Sequence, residues 1–179
     1  SLMKSIIYMK SDKYRLKCKT FHPMRDFAKF MDVYLPTVQQ KIDGLVFTPV
    51  NEPIRIGTHE TMFKWKPLEK NTVDFLMKRE PSRETPGFVP GIPSWRLYVQ
   101  EKGKLYFESE IPHNRIEDKP WFEDGAIVEC AYVTWEEPLW WKPLKRRTDK
   151  THPNNRRTFY RTIVNIKENI QMKEFLDCR

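Results

Sequence analysis

The stretch 80–93 limits the possible folds of this chain more than any other. Pro81, Pro86, Gly87, Pro90, Gly91 and Pro93 fall within it. Proline lacks an amide hydrogen and glycine lacks a Cβ, so such a run carries neither a continuous helix nor a central strand. A hinge or linker is placed here, which divides the 179 residues into a segment 1–80 and a segment 81–179. A 39% hydrophobic and 13% aromatic composition allows a buried core and argues against disorder.

Period-two patterning supplies most of the expected elements. Tyr14, Leu16 and Cys18 alternate with Arg15, Lys17 and Lys19, as on a strand with one face in the core and a cationic row on the other. His22-Pro23 ends that run. Phe27, Phe30, Met31 and Tyr34 recur at helical spacing, and Pro36 closes the segment. Short strands are expected at 42–49, 54–57, 62–67 and 72–77. In the strand at 62–67, Phe63 and Trp65 share one side and Lys64 and Lys66 the other. Beyond the linker, 95–99 and 104–108 read as a hairpin through Lys102-Gly103, and 126–133 as a strong strand. Several short strands in so small a unit suggest a barrel such as the OB-fold. Phe159, Ile163, Ile166 and Ile170 predict a helix from Arg156 to Leu176, capped by Asn154 or Asn155. The fold class is therefore α+β.

The cations are concentrated. The net charge is +8, which suits a polyanionic partner, and Lys142, Lys145, Arg146, Arg147 and Lys150 crowd one segment behind Trp140-Trp141. The two tryptophans read as core. A cationic cluster of this density needs solvent or an anion between its charges. The three cysteines, Cys18, Cys130 and Cys178, are too few and too scattered for a disulfide framework or a zinc site, and a reducing intracellular compartment is expected. No apolar run reaches the ~20 residues of a membrane span, so no membrane partner is expected. The histidines form no zinc-hydrolase pattern, and neither a P-loop nor Gly-x-Ser-x-Gly occurs.

Four stretches form an ordered set: Leu16-Lys17-Cys18-Lys19-Thr20-Phe21; Asp43-Gly44-Leu45-Val46-Phe47; Phe63-Lys64-Trp65-Lys66-Pro67 with Asn71-Thr72-Val73-Asp74-Phe75; and Arg147-Thr148-Asp149-Lys150 with Pro153-Asn154. Together they resemble the later motifs of the covalent nucleotidyltransferases, and among these the GTP:RNA guanylyltransferases of mRNA capping enzymes. Lys-Trp-Lys-Pro followed by Asn-Thr-Val-Asp-Phe looks most like the capping enzymes of large DNA viruses. The resemblance implies the C-terminal portion of a nucleotidyltransferase domain (ligase-type, ATP-grasp-like) over 1–80, followed by an OB-fold lobe with a terminal helix over 81–179.

The resemblance also implies roles. Family members carry GMP on a lysine of a Lys-x-Asp-Gly motif and pass it to the 5′-diphosphate end of RNA. They use Mg2+ or Mn2+ to offset phosphate charge. Asp43 would ligate that metal. Lys64 and Lys66 would grip the α-phosphate and sugar side of GTP, and Lys17 and Lys19 would line the guanine pocket. Arg147, Asp149 and Lys150 would close over the outer phosphates, with Asp149 orienting its basic neighbours. Lys41-Ile42-Asp43-Gly44 matches Lys-x-Asp-Gly letter for letter. Its spacing to Lys64 is instead that of the family's metal-binding Asp-Gly, so the nucleophile is expected outside this chain. A missing N-terminal segment would supply it in cis or in trans, and Ser1-Leu2-Met3 reads as a scar ahead of an internal start.

Other readings remain beside this one. Lys17 and Lys19 also suit the solvated face of an edge strand, Asp43-Gly44 a plain turn, and the 145–150 run a solvated charge cluster or general RNA-binding patch. The alternative functions are a ligase-type adenylyltransferase and a non-catalytic RNA-binding or interaction module. Triphosphatase and methyltransferase domains are expected companions. The expected location is a cytoplasmic viral factory or virion for a viral protein and the nucleus for a cellular one.

Overall fold

A computed structural model describes residues 19–53, 55–81, 93–111, 115–135 and 139–177. They fall into two compact units: the described residues up to Lys41 together with those from Met172 onward, and Ile42–Gln171.

In the first unit the helical spacing read from Phe27, Phe30 and Tyr34 is realised as a succession of tight turns. A 3-10 turn (Met24–Asp26) leads into α1 (Phe27–Lys29), a π turn (Phe30–Tyr34) and a second 3-10 turn (Leu35–Thr37) that holds Pro36. The aromatic rings stack along one side, with His22 4.3 Å from Tyr34 and Phe30 5.5 Å from Tyr34 between ring centres. A 3-10 turn at Met172–Leu176 brings Phe175 edge-on to the buried Phe27.

Among its described residues the second unit forms two sheets. β1 (Leu45–Phe47) and β2 (Phe63–Trp65) pair antiparallel, with Leu45 opposite Trp65 and Phe47 opposite Phe63. The larger sheet has five antiparallel strands: β3 (Thr72–Pro81), β4 (Pro93–Glu101), β5 (Lys104–Ile111), β6 (Ile127–Val133) and β7 (Trp140–Arg146). Their order is β5-β4-β3-β6-β7, and the outer strands β5 and β7 also approach one another. Register shifts at Leu97/Tyr98 and Glu129/Cys130 add the local twist such curvature needs.

The core follows from alternation. Val73, Phe75 and Met77 point inward from β3 and meet Leu97, Val99, Val128 and Cys130. Helix α2 (Arg156–Glu168) lays Phe159 and Ile166 on them. Phe75, Trp141 and Phe159 form a triangle of rings with centres 5.2, 5.8 and 5.9 Å apart. Trp140 and Trp141 are both core, as read from the sequence, at 3% and 2% exposure. The hairpin turn is also where expected, with Lys102 and Gly103 at φ 49° and 75°, the positive values that a two-residue turn requires.

Three expectations differ from the structure. The division at residue 80 falls inside β3, which is the central strand of the five-stranded sheet. The Pro/Gly stretch connects β3 to its antiparallel neighbour β4, with Pro81 opposite Pro93; residues 82–92 lie outside the described set. The expected helix from Arg156 to Leu176 stops at Glu168, because Asn169 takes the left-handed conformation (φ 44°) and its N–H caps Asn165 O, a conformation that Asn tolerates better than most residues. No strand forms at 55–57: Ile56 is fully exposed and Gly57 turns the chain at φ 92°.

Candidate functional site

Within the second unit the charged motif residues form two clusters. The first is the edge where β1 meets β2. Pairing Leu45 with Trp65 leaves Asp43 beside Lys66, whose Nζ lies 2.6 Å from Asp43 Oδ2. Both side chains are largely exposed, at 67% for Asp43 and 43% for Lys66, so the pair is worth little as a stabilising contact. Gly44 makes the approach possible, since a Cβ there would stand 2.1 Å from the Trp65 carbonyl oxygen. Asp43-Gly44 is therefore a close crossing of two backbones, and only glycine fits it. Lys64, two residues from Lys66, projects from β2 into solvent opposite Val46. The indole N–H of Trp65 donates to Ile170 O at 2.8 Å and so ties β2 to the chain just beyond α2.

The second cluster gathers around Arg147, just past β7. Nη1 donates to both carboxylate oxygens of Asp74 on β3, at 2.9 and 3.0 Å. Nε and Nη2 donate to the two oxygens of Asp149, at 2.9 and 2.8 Å. Glu129 Oε2 lies 3.5 Å from Nη1. Asn154 completes the joint: its side-chain oxygen accepts from Asp74 N at 2.9 Å, and its own N–H donates to Asp74 O at 2.7 Å. Loop 147–154 is thus stitched to the start of β3 by one charge-assisted pair, Arg147–Asp74, and by the two bonds of Asn154, while the two-nitrogen bidentate pair of Arg147 with Asp149 fixes the guanidinium within the loop.

The charges respond to this packing. Burial pushes the Asp74 carboxyl up from its ordinary value, and Arg147 offsets this only in part. The hydrogen bond from Arg147 holds Asp149 down at about 2. Burial raises Glu129, but hydrogen bonds from Lys145 and Thr72 outweigh it and leave the group low. Arg147 is held firmly protonated, first by its bond to Asp149. Lys150 differs from all of these. Its backbone N–H closes a turn onto Arg147 O at 3.2 Å, and its ammonium is exposed, with no ion-pair partner among the described residues.

Asp43, Lys64 and Lys66 therefore come together, as do Arg147, Asp149 and Lys150. Lys19 is exposed, outside any regular element and in the other unit, and Lys17 lies outside the described residues. Lys41 is exposed and in no helix or strand. The residue that the sequence reading left without a role is Asp74, together with its neighbour Glu129. A signal was present: a carboxylate inside the apolar run Val73-Asp74-Phe75-Leu76-Met77 must find a partner. No group of three or more potential metal ligands occurs among the described residues. Asp43 alone still suits a magnesium ion, which commonly takes one protein carboxylate, several waters and the substrate's phosphates.

Known proteins carry the same arrangement of segments. Residues 70–176 match the mRNA capping enzyme, C-terminal domain, and residues 2–68 match the mRNA capping enzyme, catalytic domain. The mRNA-capping enzyme subunit alpha of Schizosaccharomyces pombe is 28% identical over 158 residues, which cover 83% of this chain and 38% of that protein. The corresponding subunit of Eremothecium gossypii is 29% identical, over 74% of this chain and 37% of its own length. The mRNA-capping enzyme of Caenorhabditis elegans is 29% identical, over 89% of this chain and 25% of its own. The chain thus spans well under half the length of these relatives, and they are fungal and animal proteins rather than viral ones. The boundary between the two matches, at 68–70, lies between the β1–β2 edge and the start of β3, so each charged cluster sits within one of them. Matched from end to end in this way, the chain belongs to the mRNA capping enzyme family.

Proposed function

We propose that this chain is the phosphate-handling part of an mRNA guanylyltransferase, which moves GMP from GTP through a lysyl intermediate to the 5′-diphosphate end of RNA. The observation that carries the reading is the β1–β2 edge, where Gly44 permits Asp43 to lie within 2.6 Å of Lys66 with Lys64 alongside. An exposed lysine pair beside one carboxylate is a poor stabilising device but suits a metal–nucleotide complex. Phosphate oxygens would take the place of Asp43 at Lys66, and Asp43 would be the residue that holds the ion. Mg2+ or Mn2+ held there would supply positive charge against the negative charge that builds up during transfer. Lys17 and Lys19 are assigned to the guanine.

Arg147 is assigned a positioning role, because its donors are already committed to Asp74 and Asp149. Lys150 is then the cation of this loop that meets the outer phosphates. The strand order β5-β4-β3-β6-β7, with β5 near β7, supports the expectation of an OB-type barrel, now proposed to begin at about residue 70 rather than 81. The nucleophile is proposed to come from another segment, in cis or in trans, since Asp43-Gly44 of Lys-Ile-Asp-Gly is taken up by the crossing with Trp65. Triphosphatase and methyltransferase activities would complete the cap, and the nucleus is the natural compartment if the chain works as a cellular mRNA-processing factor.

The test is incubation of the chain with α-labelled GTP and magnesium, followed by denaturing electrophoresis. The expected result is no covalent label. A label that survives denaturation and disappears in Lys41→Ala would overturn the assignment of the nucleophile elsewhere. A preference for ATP over GTP would favour the adenylyltransferase reading.

A further inference from the structure

A broad groove of about 1500 Å³ lies within the second unit, between the 48–64 segment and one face of α2. Its chemistry is uneven. Arg55, Phe63, Lys64, Arg157, Tyr160 and Arg161 line it, and all six are exposed. Phe63 is 67% and Tyr160 47% exposed, although Phe63 belongs to a strand whose alternation should have turned it inward.

Two cations of α2, Arg156 and Arg157, stand where a helix tolerates them least. Its first turn has no acidic residue and begins Arg156-Arg157, at the end where the helix dipole favours anions. Arg157 and Arg161 are also like charges at i,i+4, a further destabilising pair. Arg156 is neutralised by Glu108 at 3.1 Å and packs on Tyr106. Arg157 and Arg161 have no ion-pair partner among the described residues. Of the glutamates at the groove, Glu52 is engaged by Thr61 at 2.6 Å and lies near His59. Glu60 and Glu101 leave the wall cationic in balance.

We infer that this groove is a track for single-stranded RNA. Arg157, Arg161 and Arg55 take backbone phosphates, and bases stack on Tyr160 and Phe63. Alternating cations and exposed aromatic rings are the two things a sequence-tolerant single-strand site needs. The inference rests on the proposed function for its direction: Lys64 lies in the same groove, so the RNA would run with its 5′ end toward the nucleotide. An acidic protein segment would satisfy the arginines but would bring nothing to stack on the exposed faces of Phe63 and of Tyr160, which Arg156 and Phe159 contact without covering.

The test is fluorescence anisotropy of the full chain with a labelled single-stranded oligouridylate of about 10 nucleotides, without GTP and across a range of salt. Arg157→Ala/Arg161→Ala should weaken binding and flatten the slope of log K against log salt by about 1.4, the release from two single-strand phosphates. Tyr160→Leu should weaken binding about five-fold or more with the slope unchanged, and Tyr160→Phe should restore it. Circular dichroism of each variant should match the parent, and the Tm of the arginine variant should equal or exceed that of the parent, since a like-charge pair is removed. Unchanged affinity and slope in the arginine variant would overturn the track, as would a polyglutamate peptide of equal charge that binds as tightly as the RNA. Because no GTP is present, loss of RNA binding in these variants stands even if guanylyl transfer fails. Intact RNA binding would sink the track while leaving the proposed function untouched.

Discussion

Replacing Asp74 with asparagine, alone and together with Arg147→Met, tests whether the buried pair holds loop 147–154 in place. Asp74 is 7% exposed and takes two bonds from Arg147, at 2.9 and 3.0 Å. Stranding one member of a buried pair costs about 3–5 kcal/mol when nothing replaces it. Arg147 here keeps Asp149 through two further bonds, and Glu129 at 3.5 Å. Asp74→Asn should therefore cost less, about 2 kcal/mol. For a chain of this length that lowers Tm by roughly 4–8 °C. Burial holds the Asp74 carboxyl above its ordinary value despite Arg147, so much of the attraction is spent on removing the charges from water. The double variant should consequently be more stable than the sum of the two single losses implies, with a coupling of at least about 1 kcal/mol. Urea unfolding followed by tryptophan fluorescence is the assay, since Trp140 and Trp141 lie buried in the same sheet. Single-variant losses that add to within about 0.3 kcal/mol would refute the account of the joint.

Three further outcomes follow from other parts of the molecule. Gly44→Ala would place a methyl 2.1 Å from a backbone oxygen; a local loss of about 2 kcal/mol or more is expected, visible as faster hydrogen exchange at β1 with little change in the five-stranded sheet. Asp149 should titrate at about 2 by carboxyl NMR. With its folded value below the ordinary 3.8, its stabilisation is complete above that value and is lost as pH falls from 3.8 toward 2, so Asp149→Asn should remove that part of the acid transition. Phe75→Ala, at a fully buried position between Trp141 and Phe159, should cost about 3–5 kcal/mol in denaturant unfolding.

Features set by neighbouring residues were legible in the sequence. Lys102-Gly103 announced its hairpin, and the Asn154-Asn155 pair announced the cap of α2, which the structure gives to Asn155, whose side chain accepts from Arg157 N at 2.9 Å. The bulk of Trp140 and Trp141 marked them as core. The end of α2 at Asn169 was also readable, but the apolar spacing that runs on to Ile170 masked it. Features that depend on distant partners were not legible. Asp74 meets Arg147 across 73 residues, and nothing local says which cation will neutralise it. The need for Gly44 arises only when β2 crosses it. The place of β3 at the centre of the sheet was hidden because a Pro/Gly stretch looks the same whether it separates lobes or joins paired strands. The site was therefore legible as residue types in order. Which cation is structural emerged only from the partners of Arg147, Asp74 and Asp149, for which Lys150 has no equivalent among the described residues.

The most direct check of that division is calorimetric titration of GTP and of GMP, each with magnesium, against the chain and against Lys150→Ala and Lys66→Ala. If Lys150 meets the outer phosphates and Lys66 the α-phosphate, Lys150→Ala weakens GTP about ten-fold, the effect of losing roughly 1.4 kcal/mol from one charged contact, and leaves GMP unchanged. Lys66→Ala weakens both. Equal weakening of GTP and GMP by Lys150→Ala, or none of either, would contradict the account.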